Sequence, residues 1–177
     1  MAFVVKNAPA RAAGPTPNGQ AYVDQWIHVK RAAKALPQTT NEQLFRVYGG
    51  RVIVKLLIGE VTTAIQSTDP VLSVDTSRLD DAGALVGTAD VVASTIDTSS
   101  DEIGTIYVVE GDDSGLVSTQ VAAHQTLNAR EWLMPQGQII LVAGASKTGA
   151  IQWDLWYQPL DEGAYVVAVD TATARIS

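Results

Sequence analysis

The chain has 177 residues, a net charge of −7, 46% hydrophobic residues and no cysteine. Its length suits one domain with a sizeable core, and the lack of thiols excludes disulfides and thiolate metal sites. Residues 1–55 hold eight basic against two acidic side chains, a balance of +6, and residues 56–177 hold four against seventeen, or −13.

Such asymmetry reports on partners: an electropositive extension that lies on something acidic, which includes the body of a neighbouring copy. The acidic total excludes wrapping nucleic acid with the whole surface, and no apolar run approaches the ~20 residues of a membrane-spanning helix. The opening residues lack the ~7–15-residue apolar run of a signal peptide, so synthesis in a cytoplasm is expected.

Residues 7–20 combine Pro9, Gly14, Pro15, Pro17 and Gly19 with alanines, which predicts an extended arm over residues 1–20. The rest, 21–177, reads as one β-sandwich domain. Within residues 21–36 two phases compete. Tyr22, Trp26, Val29, Ala33 and Leu36 recur at helical spacing, whereas Val23, Gln25, Ile27 and Val29 alternate as in a strand. From residue 43 onward short β-rich runs alternate with turn residues: 44–48, 51–58, 60–65, 71–74, 90–96, 103–110, 116–122, 138–143, 150–157 and 164–170. Gly49 and Gly50 predict a tight hairpin or a bulge, and residues 144–149 predict a turn joining two strands. No long helical period follows residue 43. The expected fold is therefore an all-β antiparallel sandwich of jelly-roll or Greek-key type with an extended N-terminal arm.

The run 151–157 is the most explicit: Ile151, Trp153, Leu155 and Tyr157 share one face and predict core, while Gln152, Asp154, Trp156 and Gln158 share the other. An indole among polar neighbours marks either a contact surface or a face covered by another layer of the same chain.

Catalytic, metal and cofactor sites are not expected. The only histidines, His28 and His124, are far apart in sequence. The acidic pairs Asp80-Asp81, Asp101-Glu102 and Asp112-Asp113 fall in turns and match no twelve-residue calcium loop. No Gly-x-Ser-x-Gly elbow occurs, and in the stretch 144–149 Ser146 stands where a phosphate loop needs glycine.

In combination, Leu36-Pro37-Gln38-Thr39-Thr40, Leu44-Phe45-Arg46-Val47-Tyr48-Gly49-Gly50-Arg51-Val52, Ile58-Gly59-Glu60-Val61-Thr62-Thr63-Ala64-Ile65, Thr148-Gly149-Ala150-Ile151-Gln152-Trp153 and Tyr157-Gln158-Pro159-Leu160 resemble small β-sandwich virion structural proteins of tailed bacteriophages. The resemblance spans residues 36–160 and implies that the segment before Leu36 enters the sheet as a strand. It also implies a virion location on the capsid surface. The role is then a capsid decoration or cement protein bound to the major capsid protein and to itself, as a homotrimer; tail or head-tail components are the alternative. The residues expected to make those contacts are Lys6, Arg11, Lys30, Arg31, Lys34 and Trp156. A carbohydrate-binding sandwich using Trp156, Tyr157 or Trp132 is the competing reading.

Overall fold

Every element in the computed structural model is a strand, among the described residues 26–37, 41–65, 71–111, 117–119, 129–144 and 148–170. The strands are β1 Ile27–Ala35, β2 Glu42–Tyr48, β3 Val52–Thr63, β4 Val71–Leu79, β5 Leu85–Asp97 and β6 Ile106–Val109. They continue with β7 Val117–Thr119, β8 Trp132–Met134, β9 Gly137–Ala143, β10 Ala150–Pro159 and β11 Tyr165–Ala168. One sheet runs β1-β10-β3-β6-β7, with β8 also on β3, and the other runs β11-β2-β9-β4-β5. All pairings are antiparallel.

Four of those pairs nest along the chain: β4 with β5, β3 with β6, β2 with β9, and β1 with β10. That nesting is what results when one long hairpin is rolled around a two-layered body, and it defines a jelly roll. The extra strands β7, β8 and β11 widen the two sheets.

The strand phase of residues 21–36 prevails over the helical one. Only in a strand do Val29 and Arg31 face inward, opposite Leu155 and Trp153, while His28 and Lys30 face outward, opposite Trp156 and Asp154. On β10 the predicted inward residues Ile151, Trp153, Leu155 and Tyr157 are all buried, each contributing roughly 1.5–3 kcal/mol of burial. Trp153 is the largest of them, and it fits because β3 presents Gly59 opposite it. A Cβ at Gly59 would lie 2.9 Å from the indole.

Gly49 and Gly50 form neither a hairpin nor a bulge. They carry the chain from β2 in one sheet to β3 in the other, with φ of 72° and 140°. A Cβ at Gly49 would lie 2.4 Å from the Gly163 carbonyl oxygen, so this corner packs against the β10–β11 corner. Arg51 stitches the two together: its backbone N–H and Nε donate to Asp161 Oδ2 at 2.8 and 2.9 Å, and Nη2 donates to Oδ1 at 2.7 Å. Gln136 ties two more connections into this end, accepting from Gly49 N–H at 3.2 Å and donating to the Asp80 carbonyl at 3.0 Å. The predicted turn at 144–149 likewise crosses between sheets, from β9 to β10. The expected arm, residues 1–20, lies outside the described residues.

Candidate interaction surface

The outward face of the β1-β10-β3-β6 sheet gathers the most distinctive side chains. Once the odd positions of β10 turn into the core, Gln152, Asp154, Trp156 and Gln158 must turn out. Register then supplies their neighbours. Trp156 sits between His28 of β1 and Leu56 of β3, Asp154 between Lys30 and Ile58, and Gln158 beside Ile53, which in turn adjoins Leu133 of β8. A bulge sharpens the arrangement. Leu56 pairs with Trp156 while Val54 pairs with Tyr157, so Lys55 is the extra residue of β3 and is exposed beside half-buried Leu56.

The His28 imidazole stacks on Trp156, with centroids 4.5 Å apart and planes inclined by 13°. Its Nε2 lies 2.6 Å from Asp154 Oδ1, while Gln152 Nε2 donates to Asp154 Oδ2 at 3.1 Å. Lys55 Nζ stands 4.1 Å above the Trp26 ring centre and 2.9 Å from Glu131 Oε1. Leu133 is 56% exposed. The face thus combines two indoles, exposed aliphatic carbon and charges of both signs, the composition that protein–protein contacts favour at their centres and rims.

The predicted contact residues separate on this frame. Trp156 is half-buried, covered on one side by His28 from the N-terminal part of the chain. Lys30 is exposed on the same face. Arg31 is not at the surface. It is 1% exposed, donates from Nη2 to Glu42 Oε1 at 2.6 Å and from Nε to the Val169 carbonyl at 2.8 Å, and so acts as an internal tie between β1, β2 and the segment after β11. Its inward position follows from β1 alternation, which the helical phase had obscured. Lys34, partly exposed, ion-pairs with the same Glu42 carboxylate. Lys6 and Arg11 lie outside the described residues, as do His124 and the pair Asp112-Asp113.

The other acidic turns have local employment. Asp80 Oδ1 accepts from the Ala84 N–H at 2.7 Å, which shapes the β4–β5 turn. Asp101, 2% exposed, accepts from the Tyr107 hydroxyl. Burial, followed by that hydrogen bond to Asp101, pushes the Tyr107 phenol well above its ordinary range. At the corner, hydrogen bonds from the Arg51 side chain and backbone hold the Asp161 carboxyl down at about 2. Among the described residues, no three His, Asp or Glu side chains gather as a metal-ligand set.

His28 is the contact-surface residue that sequence reasoning passed over, having been weighed only as a metal ligand. Its outward strand phase was the available signal; the partner, Trp156, is 128 positions away. Compared with models of protein families and with curated proteins, the chain matches none.

Proposed function

We propose that this protein is a non-enzymatic structural component of a tailed-bacteriophage particle, a decoration or cement protein that binds the outside of the head shell, through the major capsid protein, as a homo-oligomer. Most of the segments that resemble virion sandwiches fall on the framework: all but the first two residues of β2 with the corner after it, the second half of β3, and both ends of β10. The observation that carries the reading is the outward sheet face built on Trp156, Leu56, Ile58 and Leu133. Leu133 is exposed there and Trp156, Leu56 and Ile58 are half-buried beside it, and apolar side chains grouped on an outer face are suited to adhesion.

The same geometry favours a protein partner over a sugar. Stacking a pyranose on Trp156 needs an open indole face, and His28 already occupies one. The strongly displaced ionisable groups, Tyr107 and Asp161, are engaged in holding the fold, in the core and at a corner respectively.

The test is co-sedimentation of the full-length protein with head shells of the phage that encodes it. Wild type is expected to pellet with shells, and Leu133→Glu and Trp156→Ala are expected to reduce the bound fraction at least tenfold, the scale of losing a buried interface anchor. Undiminished binding by both folded variants would refute this face as the contact.

A further inference from the structure

The jelly roll leaves two opposite flanks, and they differ in charge. On one flank β1 lies against β11, joined by the Arg31 contact to Val169. On the other, β5 ends its sheet and residues 98–105 cross to β6. Among the described residues, β1 and β5 each pair with a strand on one side only. Natural edge strands are usually guarded by lysine, proline or charge turned inward. Across its 13 residues β5 carries no Lys, Arg or Pro, only Asp90 and Asp97. Near it Asp80, Asp81 and Glu102 are exposed as well, and the described residues from 79 to 129 include neither Lys nor Arg. β1 is the reverse: it holds no acidic residue, Lys30 is exposed and Lys34 partly so, while Arg31 is turned inward to Glu42.

Both flanks also expose apolar carbon. Val86, Val91 and Ile103 are 43%, 44% and 63% exposed around β5, and Ile27 and Tyr165 are 41% and 49% exposed around β1. Small side chains, Ala32 and Ala33 on β1 and Gly87 and Thr88 on β5, leave both edges open to close approach.

We infer that the occupant of the acidic β5 flank is the basic β1 flank of a second copy of this chain, repeated head to tail. Two unlike, complementary patches on opposite sides of one body make a heterologous contact, and such contacts build a closed ring when the rotation permits. The inference deepens the assembly reading by naming the surfaces through which copies meet, and it rests only on the self-association part of that reading. Shell binding through the Trp156 face stands or falls separately.

The experiment uses the full chain, measured by sedimentation velocity over a concentration series, with Lys30→Glu and Asp90→Lys as variants. Both positions are exposed, and circular dichroism verifies folding. Wild type is expected to associate at low salt and to weaken as ionic strength rises, because screening shortens the reach of charge to about 10 Å at 0.1 M. Each variant alone is expected to associate roughly tenfold more weakly. Mixing the two variants is expected to restore much of the loss, since each then meets a flank of opposite sign. A wild type that stays monomeric at low salt, variants that associate like wild type, or a mixture that recovers nothing would each overturn the proposal.

Discussion

Asp161 illustrates how single side chains hold the corners of this fold. Its carboxylate receives three hydrogen bonds from Arg51, and those bonds lower its pKa from 3.8 to about 2. A carboxyl with a depressed folded-state pKa contributes stability that is present above its ordinary pKa and lost as pH falls through the folded value. Asp161→Asn is therefore expected to lower Tm at pH 7, and the gap from wild type is expected to close between about pH 4 and pH 2. A gap independent of pH over that range would contradict the assignment. Gly59 is the opposite kind of residue, needed for what it lacks. Trp153 is enclosed and has no room to retreat from an added methyl, so Gly59→Ala is expected to destabilise the protein by about 2 kcal/mol in a denaturant titration.

At the scale of elements, the tie among β1, β2 and the chain after β11 is made by a buried charge pair. Removing one partner of such a pair costs about 3–5 kcal/mol because the other charge is left enclosed, whereas replacing both with apolar groups is close to neutral. Lys34 also reaches Glu42, which offsets part of the loss. Arg31→Met is thus expected to cost roughly 3 kcal/mol, and the double change Arg31→Met with Glu42→Met to recover only part of it, since Lys34 then loses its own partner. Equal losses in single and double variants, measured by urea unfolding, would show that packing rather than charge dominates there.

The elements also show what could be read beforehand. β10 was legible because its alternation is unbroken from Ile151 to Tyr157. β1 was ambiguous because an alanine-rich run with aromatics satisfies helical and strand spacing alike, and only pairing with β10 decides between them. For β5 the sequence predicts only 90–96 of Leu85–Asp97. Gly87 at φ 80° and three register shifts against β4 interrupt the local alternation. The sequence does not predict β8, since three residues carry no period. Gly49-Gly50 marks the end of β2 but not where the chain goes next, because whether it returns to its own sheet or crosses to the other depends on strands far away in sequence. The same reason hid the stack of His28 on Trp156.

For the whole molecule, fold and proposed role meet in the distribution of side chains over a two-sheet body. The core is spent between the sheets, one outer face keeps indoles and aliphatic carbon, and exposed carboxylates gather around β5. An adhesive protein with those surfaces should strengthen whatever it binds, since a ligand that prefers the assembled state stabilises it by mass action. The most direct measurement is the temperature at which undecorated head shells rupture, with and without added full-length protein. The account predicts a rise in rupture temperature that saturates with protein concentration and is lost with Leu133→Glu. Shells that rupture at the same temperature at every protein concentration would contradict it.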